Sequence, residues 1–593
     1  MKRTSLLFVS SLILCSFSFA QPVAIYTAGN TWYDQQYIAG GARLIDNDPS
    51  GWVQLGWTKG FDASNATRHV IYNAWNPGTQ EFLLIEGSQI DSWARTASVT
   101  LVTDHEGRCF PVFNTTETAG IAIEFLPRTG VFTGYYLSDA SELQLINPRV
   151  AVDSENWILH IAAAEYGGNR FALYYLRAAP LYDETFGIAF EFLDDPPRFI
   201  DSLTVPAYDI TASQNTESSS VAIAWTKPRN PGWDNDLVYL LSEDGGDSFS
   251  EEINITRFIE PDWECLSGDT AACNRDTFRV HADISTLFDA EDNLHAVFST
   301  TNFYALQNRI ARYAGQLWHW SERDSIVTPI CAVGEDYATE HWAQDIGDYE
   351  LILQDPCLTL DRTTGDLFCT YSFCDTNQWS EIGIPQGDIW VSRSTDSGLT
   401  WSLGMNITNT DGGQNTPAGQ CQDESYPSAA RFIRYIEGEG YLDVSYMLDL
   451  DAGNSIMQDI ATLNPIRFAQ VSVNSIPTEP LWDPAWPRLH ADTTETIFGN
   501  DESIISLFSL YQNYPNPFNS TTTIRYDLSQ TSSVTLTVFN LNGQKIAQPL
   551  LNRHVSAGIH SMEFDASRLS SGIYFYRLEA GNQVQTRKMM LLK

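Results

Sequence analysis

Between residues 40 and 475 the chain repeats one arrangement: an apolar run, a short polar turn, then a second apolar run. It appears as "ARLIDNDPSGWVQLGW" (42–57), "VTLVTDHEGRCFPVF" (99–113), "PRVAVDSENWILHIAA" (148–163) and "YDITASQNTESSSVAIAW" (208–225). It returns as "ADISTLFDAEDNLHAVFS" (282–299), "CLTLDRTTGDLFCTYS" (357–372) and "SAARFIRYIEGEGYLDVSY" (428–446). Runs of this length, rich in branched and aromatic residues and closed by Asp, Asn, Gly and Ser, predict antiparallel strand pairs. The turns recur at intervals of roughly 50–75 residues, long enough for two further strands per unit, such as "DLVYLLS" (236–242) and "GDIWVSRS" (387–394). A period of that size in an all-β chain predicts the four-stranded blades of a β-propeller. Seven units predict about seven blades. Six is the alternative, with the first unit as an N-terminal extension.

Two stretches share a second pattern. "SEDGGDSF" (242–249) and "STDSGLTW" (394–401) each follow a predicted third strand, and each is followed by "NIT". Ser and Asp side chains bond to turn amides, Gly takes a positive φ, and the aromatic packs on the sheet. The stretch therefore reads as a turn device rather than a catalytic loop. Through Ser242, Asp244, Gly246, Phe249, Ser394, Asp396, Gly398 and Trp401 the chain resembles the sialidase-like, Asp-box β-propeller superfamily. The resemblance implies a propeller with these turns away from the substrate mouth. A sialidase also needs three arginines, an Asp acid and a Tyr/Glu nucleophile pair. Here the superfamily's N-terminal Arg-Ile-Pro signature is missing, since "PPRFI" (196–200) lies late and lacks the Pro. Nothing in the sequence sets Arg149, Arg279 and Arg431 apart from ordinary ion-pair partners.

Alternation stops at 476–506, a proline-bearing stretch that reads as linker. From 507 to 593 it resumes: "TIRYDL", "VTLTVF" and "GIYFYRL" predict strands of a small Ig-like β-sandwich, with turns at "NLNGQ" and "EAGNQ". Tyr514, Pro515, Asn516, Pro517 and Phe518, then Gly543, Ser571, Gly572, Tyr574 and Tyr576, then the closing run from Lys588, resemble the type IX secretion C-terminal sorting domain. The resemblance implies engagement of the type IX machinery and delivery outside the cell or onto the outer-membrane surface. The opening "MKRTSLLFVSSLILCSFSFA" has two cations, an apolar run and Ser-Phe-Ala before Gln21, which predicts a Sec signal peptide over 1–20. No later run is long and apolar enough to predict a membrane span.

Charge narrows the partners. Residues 21–505 hold 24 basic and 70 acidic side chains, a net −46, with Lys59 and Lys227 as their only lysines. Such a field repels phosphate backbones and disfavours nucleic acid. Three long segments between blades, 257–280, 327–355 and 409–426, are expected on one face, and the middle one concentrates Glu335, Asp336, Tyr337, Glu340, His341 and Trp342. Aromatics beside carboxylates suit sugar contacts, so these six are the expected ligand-binding residues. No catalytic set is legible, and there is no zinc spacing, phosphate loop, dinucleotide fingerprint or nucleophile elbow. No cofactor is expected; structural calcium is the only candidate, at Asp449, Asp451 and Asn454 or at 411–413. Export permits disulfides among the eight cysteines beyond the leader. A hairpin closing on 361–365 would set Cys357 opposite Cys369, and Cys265 with Cys273 could staple one loop. The expectation is an exported propeller that binds extracellular glycan or protein, with a sialidase-type glycoside hydrolase, and then a structural adhesin component, as alternatives.

Overall fold

The two-run units fold as antiparallel strand pairs, and the first six pairs each start a larger sheet. The computed structural model describes residues 23–480 and 508–593, apart from 259–277, 303–314, 333–350, 454–459 and a set of shorter stretches. The chain divides into two compact units, Met1–Glu479 and Pro480–Lys593. The predicted leader, Cys265, Cys273, the six residues of the 335–342 group and Tyr514 to Pro517 lie outside the described residues.

Unit 1 contains seven sheets of four or five strands among the described residues, antiparallel apart from the short parallel pairing of Leu367–Ser380 with Gln414–Thr416. Their first strands are Ile45–Asn47, Ala97–Thr103, Leu145–Val152, Tyr208–Ala212, Phe278–Phe288, Leu353–Leu360 and Asp423–Ala429. Each packs against the next, and Asp423–Ala429 packs against Ile45–Asn47. These are propeller-like blades. In the first six sheets the strands follow chain order; the seventh takes its fourth strand from the N-terminal end. There Val23–Thr31 pairs with Asn464–Ser472, from Val23 opposite Val471 to Thr31 opposite Asn464. Sheets that pack face to face bury both sides of their inner strands, so these strands are apolar without strict alternation. Val53–Gly60 and Leu159–Tyr166 are buried over nearly their whole length.

Unit 2 has a three-stranded sheet, Phe508–Leu510, Thr521–Leu528 and Gly558–Asp565, and a four-stranded one. The latter runs Lys545–Val555, Ser532–Asn540, Gly572–Ala580, Gln583–Leu591. Both contribute to one core, including Ile524, Val534, Leu536, Tyr576 and Met589. Phe518 is buried in that core, and its N–H donates to Met590 O at 2.9 Å. Lys588 lies on the last strand and is exposed.

The hairpin after Leu353–Leu360 corrects one expectation. Leu360 pairs with Leu367, so the register sets Cys357 opposite Thr370 and Leu358 opposite Cys369. Side chains alternate faces, so a slip of one residue sends the two cysteines to opposite sides of the sheet. Cys369 packs in the core between the fifth and sixth sheets, Cys357 in that between the sixth and seventh. Both are free thiols, as are Cys109 and Cys421. Peptide mapping without reduction is therefore expected to recover no Cys357–Cys369 bridge, and native alkylation to spare both thiols.

Candidate functional site

Five of the seven first strands share an irregularity. Register shifts fall at Ala97/Thr100, Ile146/Arg149, Val280/Ile284, Gln354/Cys357 and Ser425/Ser428. Four of these bulges hold a non-glycine residue at positive φ: Ser98 (52°), Asn147 (51°), Asp355 (55°) and Tyr426 (54°). Three are followed by proline, at Pro148, Pro356 and Pro427. Proline has no N–H to give a ladder, and a bulge re-aims the side chains around it. Left-handed backbone at an ordinary residue costs about 1–3 kcal/mol and persists only where its surroundings enforce it.

Polar side chains converge near these bulges. Arg43, 7% exposed, donates to Leu358 O (2.9 Å) and Ala429 O (3.0 Å), tying the first, sixth and seventh sheets together. The Tyr37 hydroxyl donates to Pro427 O (3.4 Å), and its pKa stands well above the usual range through burial and then the charges of Asp355 and Asp283. Asp209 accepts from the N–H and hydroxyl of Thr286 (2.7 and 2.8 Å). Burial raises its pKa; Arg43 and Arg149 oppose that rise. Arg149 is itself buried and feels Tyr208, Asp209 and Tyr37. Arg431 lies elsewhere, at the far end of the first strands, with its guanidinium on Asp46 at 2.6 Å.

Between the sixth and seventh sheets the same end opens into a recess with about 50 Å³ of space for water-sized molecules. Its lining includes Gln354, Asp355, Ser372, Asp423, Ser425 and Tyr426. Asp423 accepts from the Gly387 N–H (2.6 Å) and sits directly opposite Asp449 across the strand pair. Two carboxylates opposite each other in a dry sheet repel. Burial, then Asp388 and Asp451 against the two backbone donors, pushes Asp423 up to about 7. Burial followed by Asp423 holds Asp449 well above the carboxylate range. The neighbouring Glu424 is pushed up to about 9 by burial and Asp388, while the Thr410 hydroxyl donates to it at 3.0 Å.

The two Ser-x-Asp turns sit at the opposite end. Ser242 and Ser394 end third strands, in register with Val221 and Leu367, which begin second strands. In each turn the serine hydroxyl donates to the Asp carboxylate (2.8 Å) and accepts the Gly246 or Gly398 N–H (2.8 Å). The carboxylate also accepts N–H and O–H from Ser248 or Thr400. Trp401 is buried; Phe249 packs edge-on to Tyr175. The "NIT" segments have a matching task. Asn254 and Thr256 bond Asp236, as Asn406 and Thr408 bond Asp388, each time at the head of the third strand.

Asp449 and Asp451, read in the sequence as a calcium candidate, lie beside the recess, while Asn454 lies outside the described residues. Among the described residues no three His, Cys, Asp or Glu groups converge as a metal shell. Tyr37, Arg43, Asp355 and Asp423 were not legible as a group. The recurrent X-Pro in "LINPRV" (145–150), "LQDPCL" (353–358) and "ESYPSA" (424–429) is the signal that marks the strands of Asp355 and Asp423.

Comparison with known proteins places the C-terminal unit. Residues 512–592 match the secretion system C-terminal sorting domain, so the chain carries a sorting domain of that type. No curated protein matches the chain. Among solved structures it is similar to a protein of unknown function from Dyadobacter fermentans, at 12% identity and TM-score 0.36, covering 76% of this chain and 99% of that one. NanB sialidase from Streptococcus pneumoniae matches at 10% identity and TM-score 0.35, over 77% of this chain and 71% of that one. A GH93 α-L-arabinofuranosidase of Fusarium graminearum matches at 8% and 0.35, over 63% and 92%. Likeness at this level carries no argument about activity. No helix among the described residues is long and apolar enough to cross a membrane.

Proposed function

We propose that unit 1 is a closed seven-bladed β-propeller of the sialidase-like type. On this reading 242–249 and 394–401 are its Asp-box turns, and residues 507–593, an Ig-like sandwich, hand the chain to type IX secretion. The propeller binds an extracellular glycan or protein at the end where its first strands begin. One observation carries this: four first strands bulge at equivalent places, with strained backbone, around buried Tyr37, Arg149, Asp283 and Asp355. Strain and buried polarity at one end of a rigid scaffold are what a binding site costs a fold.

A second reading, glycoside hydrolysis, has its own observation. Asp355 and Asp423 line one recess, and Asp423 is pushed up to about 7, near enough to neutrality to act as a proton donor. The mature full-length chain, incubated with a glycan panel that includes sialosides, separates the two. Retention without products is expected, and D355N/D423N is expected to abolish it. Released sugar would establish the hydrolase, and neither retention nor release would leave a structural adhesin role.

A further inference from the structure

We propose that the recess between the sixth and seventh sheets receives a primary ammonium group, the end of an alkylamine-bearing ligand, between Asp355 and Asp423, with Asp449 opposite Asp423 in the strand pair. The inference rests on the reading of this end as the ligand site and adds the chemistry of what enters.

Three independent features favour a cation. First, the lining holds two carboxyls, hydroxyls, an amide and the Tyr426 ring, and no basic side chain. Second, oxygens in the lining and beside it lack partners. Asp449 is 1% exposed, lies on the face of the sheet that Asp423 shares, and its Oδ2 has no hydrogen-bond partner; Ser425 Oγ in the lining has none either. A buried acceptor left unmet costs about 1–3 kcal/mol, more when charged, and an incoming N–H donor removes that cost. Third, residues 21–505 carry −46, which draws cations and repels anions. An anionic sugar is therefore the wrong occupant for this recess.

Size and donor arrangement choose among cations. About 50 Å³ of free space accepts a few water-sized groups, enough for an ammonium and the methylenes behind it. A calcium ion needs six to eight oxygens gathered on one point. The carboxyls here are distributed around the space, and no three converge among the described residues. An ammonium spreads three donors to separate acceptors and can rest against an aromatic face, here Tyr426.

The test is calorimetric titration of the mature full-length chain with n-butylammonium chloride, sodium butyrate and calcium chloride in separate runs. Butylammonium is expected to bind at a single site and butyrate to give no heat. D423N and D449N are each expected to weaken butylammonium by about tenfold or more, because each removes a carboxyl that can ionise against the incoming cation. Both variants replace a repelling carboxyl with an isostere, so melting curves at or above the parent value will show they are folded. E217Q, on an exposed turn, is the control for loss of general charge and is expected to bind as the parent does. Butylammonium that gives no heat at about 100 mM, a hundredfold above a millimolar Kd, would overturn the proposal. So would butyrate binding equally well, or calcium saturating the site while butylammonium stays silent. If the glycan panel still shows retention in those cases, only the ammonium assignment falls. If the panel is also blank, the site itself falls.

Discussion

Replacing Gly398 by alanine is expected to cost roughly 2–5 kcal/mol of stability, read as a shift in the urea unfolding midpoint. Gly398 lies at φ +89°, and a Cβ there would overlap the ring of His319 from the preceding sheet. That ring cannot withdraw. It is buried, its Nδ1 donates to Gly398 O (3.1 Å), and its Nε2 accepts from His295 Nδ1 (2.9 Å). His295 is anchored in turn on Asp289 (3.3 Å). Burial, then the neighbouring His295, holds the His319 pKa well below the usual range, so the ring stays neutral and buried. The same latch joins the third and fourth sheets through Asp153, His160 and Tyr175 to Gly246. Gly365 provides the control: its φ is +80°, but a methyl placed there would meet nothing within 4 Å. G365A is expected to cost only the left-handed backbone penalty of about 1–2 kcal/mol. Equal losses at 398 and 365 would show that the contact with His319 contributes nothing.

The second large effect is on the pH dependence of stability. Glu424 is pushed up to about 9, by burial first and by Asp388 second. Unfolded, it releases its proton near about 4.3, so between those values the folded chain binds more protons than the unfolded one. The stability this group contributes is complete below its unfolded pKa and is lost as pH rises toward 9. Each pH unit in that window costs up to about 1.4 kcal/mol. Asp423, pushed up to about 7, acts in the same direction over a narrower window. E424Q cannot ionise, so it is expected to be more stable than the parent by about 2–4 kcal/mol at pH 8 and equal to it near pH 4. Melting the two proteins across pH 4–9 checks this. Parallel curves would mean that Glu424 ionises as freely in the fold as out of it.

Much of the architecture was legible because it rests on local rules. The first six two-run units, such as 208–225 or 357–372, map onto the first two strands of a sheet, since alternation and turn residues act over a few positions; the seventh, 428–446, closes instead on the side hairpin of Arg434–Ile436 with Glu439–Asp449. The turns at 242–249 and 394–401 are closed by their own side chains, so their chemistry is written in consecutive residues. The motif running from Tyr514 to the closing strand likewise carries its assignment in sequence.

What depends on register or on distant chain segments was not legible. One residue of slip decided that Cys357 and Cys369 face different cores, because strand faces alternate with a period of two. The pairing of Val23–Thr31 with Asn464–Ser472 joins segments more than 400 residues apart, and nothing local specifies it. The recess draws Asp355 and Asp423 from two sheets, with Asp449 opposite Asp423 in the strand pair, and burial is what raises the proton affinity of Asp423 and Asp449. The sequence by itself determined strand pairs, turns and the sorting segment, since those follow from neighbouring side chains. The tertiary structure decided which carboxyls meet and which acceptors go unmet, since desolvation and repulsion exist only once the sheets have packed.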